Sequence, residues 1–356
     1  MSDPSKLSAR YTTMVVAALS LIGLTCVAFL VPVPYVTMKP GPAFDTLGDY
    51  RGEPMFTFGK GIKTYPTSGS LDFTTVSVTS ADGRLNLGQV LVAYLDKDVA
   101  VVPKSLIYPD DQSEEQSTEE SAAQLSGSKD SSRVAALRAA GYTVPGMATI
   151  ASVVKGGASD GSLRAGDVIN TIDGQKISTP DAAVQAVVKH KPGETIRMSV
   201  QRDGKAQDVT ITTRPDPEDA DTPRIGVTLG TKYRYPFTID NNVGREIGGP
   251  SAGTMFALAI YDKLTPGALT GGQKIAGTGE IEADGTVLPI GGIRQKMVGA
   301  HRDGARIFLV PAANCGEATD GDDFGMTLVK VSTLETAISS LEELAKDDKA
   351  SVPTCS

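Results

Sequence analysis

The sequence predicts an α+β protein with an apolar helix at its N-terminus, a small β-rich module, and a larger region mixing strands with helices. Three observations carry this. An uncharged apolar run occupies residues 12–31. Residues 144–213 read as strands and tight turns around one well-marked helix. From Gly244 a glycine-rich turn gives way to an apolar helical run, after which strands and helices alternate.

The N-terminal run, TTMVVAALSLIGLTCVAFLV, holds 20 residues without a charge. As a helix rising ~1.5 Å per residue it spans roughly 30 Å, the thickness of a bilayer core. Lys6 and Arg10 precede it, and basic residues stay on the cytoplasmic side. The expected arrangement is a cytoplasmic N-terminus (1–10), a transmembrane signal-anchor helix (11–32) and an extracytoplasmic body, with the lipid bilayer as first partner. A cleaved signal peptide is the rival, but no clear A-x-A site follows the run. Gly-Leu-Thr before Cys26 also fits a lipoprotein signal poorly.

Forty per cent hydrophobic and 21% charged residues are globular values. A net charge of -8 and pI near 5.0 argue against a nucleic-acid partner, which needs a clustered basic face. Three cysteines and two histidines offer no metal-ligand spacing, so no metal and no cofactor are expected. Cys315 and Cys355 are expected as free thiols, since pairing needs an oxidising compartment.

Residues 33–143 form an extracytoplasmic N-terminal region. Prolines at 32, 34, 40 and 42 forbid regular helix and suit a short stiff stalk. SLDFTTVSVT, from Ser70, alternates like a strand and is a candidate early strand of the later domain, which would make the β-rich module an insertion. DDQSEEQSTEE, residues 110–120, holds six carboxylates and no cation, the pattern of a solvated loop or disordered insert. SSRVAALRAAGY then suits a short helix closed by Gly141.

In 144–213, AGDVINTIDGQKI reads as strand, Asp-Gly turn, strand. STPDAAVQAVVKH starts a helix with Thr179 as N-cap and Pro180 at its first position. Two alternating strands joined by Arg202-Asp203-Gly204-Lys205 follow. The segment from GGASDGSLRAGDVI to VQRDG resembles a PDZ domain of the bacterial protease type. The resemblance rests on the small residues before Leu163, the AGDVI core, the Asp-Gly turn, the helix and the hairpin. It implies a carboxylate-binding loop at VPGMA, where Val144, Pro145, Gly146 and Met147 would hold a chain terminus beside a strand that adds the peptide. A PDZ fold that only packs against its neighbour is the bland alternative. Residues 214–223 read as an acidic, proline-rich linker.

Residues 224–346 carry the chemistry, and 347–356 read as a tail. In GREIGGPSAGTMFALAI, Ser251 stands at a helix start, where unpaired N–H groups and the positive dipole end stabilise developing negative charge. Gly249 and Gly253 leave room for a substrate backbone. Serine needs a base, and Lys296, among Ile293, Met297 and Ala300 one turn into a second helix, supplies one. A lysine lined by apolar groups loses hydration of its charged form, so its pKa falls and a neutral amine becomes available. The two residues are 45 apart, each near the start of its own helix.

GGPSAG, TGEI, VLPIGGI, the lysine and GAHRDGARIFLVP resemble, in order, the proteolytic domain of Lon protease. The resemblance implies Ser251 as nucleophile and Lys296 as general base. Thr278 of TGE matches a threonine that orients the lysine, and Gly249, Pro250 and Ala252 flank the serine. The order of anchor, PDZ and Lon-type domain resembles the Lon-like PDZ proteases of bacteria, which implies protein or peptide substrates and a homo-oligomer, a hexameric ring. Gly248 stands where the ATP-dependent enzymes carry aspartate. No G-x-x-x-x-G-K-[ST] occurs in the sequence, so an ATP-independent enzyme without a nucleotide partner is expected.

GPSAG also fits the G-x-S-x-G elbow of α/β-hydrolases, but NNVGREIGG before it is too polar for the required strand and only His301 could serve as base. SVVK, from Ser152, mimics S-x-x-K inside a strand with no later K-T-G. His190, at the end of the PDZ-like helix, is expected as a solvated residue favoured by the dipole. A different class of protein, a membrane-anchored PDZ adaptor with a dead scaffold, is disfavoured by intact Ser251, Thr278 and Lys296.

Overall fold

The structure, a computed structural model, describes residues 4–109, 113–244 and 246–355. Its helix and strand content is that of an α+β protein. The chain forms two compact units: one comprises the chain up to Gly141 together with that from Ile239 onward, the other Tyr142–Thr238.

The first unit opens with helix α1 (Pro4–Leu30). Its Ala9–Leu30 stretch is long and apolar enough to cross a membrane by length and composition, and none of it is buried. The helix stops before Val31 because Pro32 bars the helical conformation to the residue ahead of it. The expected stalk is instead sheet. Pro32–Val33 pairs with Leu85–Asn86, and β1 (Tyr35–Asp45) joins the main sheet. The register with β2 (Ser70–Val78) shifts between Pro40 and Ala43, a bulge that takes Pro42 out of the ladder, while Pro40 stands opposite Val76. Helix α2 (Leu87–Leu95) follows, opened by an Asn86–Gln89 capping box, and then β3 (Ala100–Pro103).

From Glu114 the acidic stretch is helical and not a loop. Asp110, Asp111 and Gln112 lie outside the described residues, and from Glu114 the chain forms α3 (Glu114–Ala139), a 26-residue helix that absorbs the short helix expected later. Ser113 and Gln116 form a capping box, and Glu114 and Glu115 sit where the dipole favours negative charge. From Leu125 on it buries Leu125, Ser128, Ser132 and Val134 to Leu137, a face of leucine, valine and small residues that lies against another helix of this unit.

The second unit holds β4 (Gly146–Val153), β5 (Val168–Ile172), α4 (Pro180–Val187), β6 (Thr195–Arg202), β7 (Lys205–Thr212) and β8 (Val227–Tyr233). Thr179 caps α4 by accepting from the Ala182 N–H at 3.2 Å. The sheet order is β7-β6-β5-β4-β8, over a core including Ile150, Ile169, Ile196 and Met198. Two boundaries differ from expectation. Residues 214–223 fold back as a small hairpin, Arg214 pairing with Arg224 and Pro215 with Pro223, and Arg224 bonds to the buried Asp216. The following strand, β8, belongs to this sheet through its pairing with β4. The unit therefore runs to Thr238, past the expected end at residue 213 and the expected linker 214–223.

The first unit resumes with α5 (Gly253–Leu264), β9 (Lys274–Gly277), α6 (Ile293–Arg302), β10 (Ile307–Pro311), β11 (Thr327–Val331) and α7 (Leu334–Lys346). Its sheet runs β11-β10-β9-β2-β1-β3, parallel from β11 to β2 and antiparallel beyond. The strand SLDFTTVSV is thus central to the sheet, next to β9. Phe73 of β2 packs edge-on against Phe256 of α5, with ring centroids 5.3 Å apart. The expected free thiols are instead joined: Cys315 and Cys355 form a disulfide. It holds the C-terminal segment along β11, where Cys355 N–H donates to Leu328 C=O at 3.0 Å. Only three cysteines occur, and Cys26 is free. Thiol titration of the denatured, unreduced chain should therefore find one reactive group, rising to three after reduction; three before reduction would contradict the pairing.

Candidate active site

Ser251 precedes α5 by two residues, in the turn Pro250–Ala252. Gly249 ahead of it has φ 81°, the left-handed region that favours glycine. The turn is braced by α3, a contribution the sequence did not disclose. Gly249 N–H donates to Ser121 C=O at 3.0 Å, and Ser128 Oγ donates to Pro250 C=O at 2.8 Å. Lys129 of the same helix donates to the carbonyls of Asn241 and Val243 at 3.2 and 2.7 Å, fixing the approach to the turn. Gly253 is needed for close contact: a Cβ there would lie 2.7 Å from Ser128 Oγ and 2.9 Å from Ile281. The only sequence signal for this brace was the row of small residues in the second half of α3, which reads equally well as an ordinary buried helix face.

Thr278 follows β9 directly. Its hydroxyl donates to Ser251 C=O at 3.0 Å, and Gly279 N–H donates to the same carbonyl at 2.8 Å. Thr254 locks the other side, its N–H donating to Gly279 C=O at 3.0 Å. The serine turn and the TGE turn are therefore stitched together through backbone groups, which are the atoms least free to move.

Lys296, in α6, completes the arrangement. Gly292, at φ 70°, starts that helix, and Ile293, Met297 and Ala300 bury its inner face. Lys296 is 2% exposed. Its Nζ lies 2.7 Å from Ser251 Oγ and donates to Thr278 Oγ1 at 2.9 Å. Burial alone pushes its pKa down from the ordinary 10.5 to about 7. Because Thr278 gives its proton to the Ser251 carbonyl, its oxygen faces the amine as an acceptor. A neutral amine can then spend one N–H on Thr278 and turn its lone pair toward the serine hydroxyl.

A cleft of about 280 Å³ opens over these groups, lined by Pro42, residues 73–77 of β2, Glu246 to Gly248, Ser251, Ala252 and Lys296. β9 ends at Gly277, opposite Phe73, so β2 runs on past its neighbour and borders the cleft. Among the described residues, no acceptor within the chain takes the N–H of Ser251 or Ala252. Both are oriented by the start of α5, where a helix favours negative charge. His301, the base an elbow-type hydrolase would need, stacks on Phe324 at 4.9 Å instead.

The second unit has a larger cleft of about 680 Å³, lined by Pro180, Ala183, Val184 and Val187 of α4 and by residues 222–229. It does not involve the expected loop. Val144 is buried, Pro145 C=O accepts from Arg234 N–H at 3.0 Å, and Gly146 and Met147 pair with Tyr233 and Lys232. Their backbone is already in use because β8 covers the edge of β4. β8 is the outer strand at this end of the sheet, and the turn leading into it, Arg224-Ile225-Gly226, contains Gly226 at φ 72°. His190 bonds to Asp173 at 2.9 Å, so it is held at the surface and does not face this cleft.

Two family models match the chain. Residues 115–213 match the PDZ domain family, and residues 245–341 match the Lon protease (S16) C-terminal proteolytic domain. Lon protease 1 of Sorangium cellulosum is 47% identical over 72 residues, 20% of this chain and 9% of that protein. Lon protease of Chloroflexus aurantiacus is 43% identical over 94 residues, 26% of this chain and 11% of that protein. The chain thus spans about a tenth of the length of these relatives. Among solved structures, the PDZ domain of an SdrC-like protein from Listeria monocytogenes is 26% identical, with a TM-score of 0.22, covering 23% of this chain and 86% of that one.

The buried amine should be visible in stability. Its folded pKa lies below that of the unfolded chain, so the unfolded chain binds more protons between about pH 7 and 10.5, and folding strengthens as pH rises through that window. Lys296→Met removes this dependence. By denaturant titration the variant should gain up to several kcal/mol over the parent at pH 6 and little at pH 10. Equal pH dependence in both chains would contradict a buried amine.

Proposed function

Joining a PDZ domain to a Lon-type C-terminal proteolytic domain, the chain is, we propose, a serine endopeptidase that uses Ser251 and Lys296 as a dyad and needs no nucleotide. The observation that carries this reading is the 2.7 Å approach of the buried Lys296 Nζ to Ser251 Oγ. Neutral Lys296 takes the serine proton as Oγ attacks a peptide carbonyl. The N–H groups of Ser251 and Ala252 receive the developing oxyanion. The ammonium then returns the proton to the leaving amine, and a water activated by the same lysine hydrolyses the acyl-enzyme. Thr278 orients the lysine. Gly249, Pro250 and Gly253 keep the turn in shape, and an extended substrate lies along the part of β2 that borders the cleft.

The PDZ unit supplies a second peptide site in this reading. A chain end enters between α4 and β8, pairing with the outer edge of β8, with its terminal carboxylate at the Arg224–Gly226 turn. The apolar face of α4 selects apolar side chains. The Ala9–Leu30 helix anchors the protein as a single span, with its body outside the cytoplasm; the Cys315–Cys355 disulfide favours such an oxidising side. A homo-oligomeric ring is the assembly that the likeness to Lon suggests.

The full chain in detergent micelles should cleave an unfolded protein without nucleotide. Ser251→Ala and Lys296→Arg should each lower kcat/KM by about a thousandfold or more, since arginine stays charged and cannot act as base. Cleavage by the parent should rise about tenfold per pH unit up to about pH 7 and then level. Full activity in either variant would remove the dyad. Separately, Val184→Asp should weaken binding of a peptide with an apolar C-terminus about tenfold or more, while hydrolysis of a short peptide substrate stays unchanged. Unaltered peptide binding would move the ligand site away from α4.

A further inference from the structure

Helix α2 is an apolar helix with nothing buried. Its nine residues, LGQVLVAYL, carry no charge. Leu87, Leu91, Val92, Tyr94 and Leu95 are all more than half exposed, and Leu106 in the next turn is 73% exposed. A soluble surface seldom concentrates so much apolar area in so short an element.

Its position says what covers it. Pro32–Val33, just past the end of α1, pairs with Leu85–Asn86, the two residues before α2. The α1 ring of Phe29 lies against Gly88, where a Cβ would come within 2.6 Å of it. Pro34 C=O accepts from Lys104 N–H at 3.0 Å, which draws the turn bearing Leu106 to the same place. The start of α2 is therefore fixed at the depth where the apolar span ends, and at ~1.5 Å per residue the helix reaches no more than about 15 Å from it. Leu87, Leu91 and Leu95 recur at the four-residue spacing of one helix face, and Tyr94 is a residue type that favours the membrane interface.

We propose that α2 and the Leu106 turn form a second membrane contact, a foot lying in the boundary between headgroups and acyl chains beside the anchor. This rests on α1 spanning a bilayer. Two contacts would fix the rotation of the first unit about the anchor and hold the body close to the lipid surface, where one flexible tether would let it swing.

The chain has no tryptophan, so Tyr94→Trp introduces a unique indole into the full chain. Reconstituted in phosphatidylcholine vesicles, the indole should emit at a blue-shifted wavelength and be roughly twofold dimmer in lipid brominated on the upper acyl carbons. Adding Leu91→Asp and Leu95→Asp, both at exposed positions, should reverse both effects while the chain still floats with the vesicles. Flotation without any bromolipid quenching would overturn the foot and leave the anchor standing. Emission that responds to dilution of the chains within the bilayer, and not to bromolipid, would assign the face to a second copy and also overturn it. Failure of the full chain to float would remove the anchor and the foot together.

Discussion

The amine of Lys296 sits almost without water between two hydroxyl oxygens, and the surrounding fold is arranged to keep it there. A lysine in water is fully charged at neutral pH and useless as a base. Burial in α6 against apolar neighbours brings its pKa to about 7, where a large share of molecules carry a free lone pair. That comes at a cost in folding free energy, since the polar head is removed from solvent. Ser251 and Thr278 offset part of it with hydrogen bonds at 2.7 and 2.9 Å.

The elements that hold these groups come from distant parts of the sequence. β9 and the TGE turn bring Thr278 to the serine carbonyl, α6 brings the lysine, and α3 clamps the turn from behind through Ser121 and Ser128. β2 forms one wall of the cleft. The first unit is thus assembled from both sides of the PDZ segment. Residues before Gly141 are structural parts of the site and not a spacer leading to it. The interlocked backbone bonds around Ser251 leave little freedom at the reacting group, which suits a mechanism that depends on a 2.7 Å approach.

The centre of the site was legible in the sequence because its motifs are local. GGPSAG and TGE each fold as one turn, and the apolar spacing around Lys296 fits one helix face. What surrounds it was less legible. The acidic stretch that opens α3 has the composition of a solvated loop, yet a capping box at Ser113 and the buried face from Leu125 onward commit it to a packed helix. Prolines 40 and 42 read as a stalk, while both lie in a strand that bulges at Pro42. The edge strand β8 follows a proline-rich hairpin that looks like a linker, so its membership of the second unit's sheet does not show in the sequence. Each of these depends on a partner far away in the chain, which composition and periodicity do not encode. The pairing of Cys315 with Cys355 is of the same kind, since it requires the C-terminal segment to lie along β11.

The protonation of Lys296 in the resting protein tests the account most directly. With lysine labelled at its ε-carbon, the resonance lost in Lys296→Met identifies the residue, and its chemical shift can be followed against pH. A titration midpoint near 7 is the predicted result. A midpoint at the ordinary value of about 10.5 would mean that the amine is solvated and charged at neutral pH, and Ser251 would have no base.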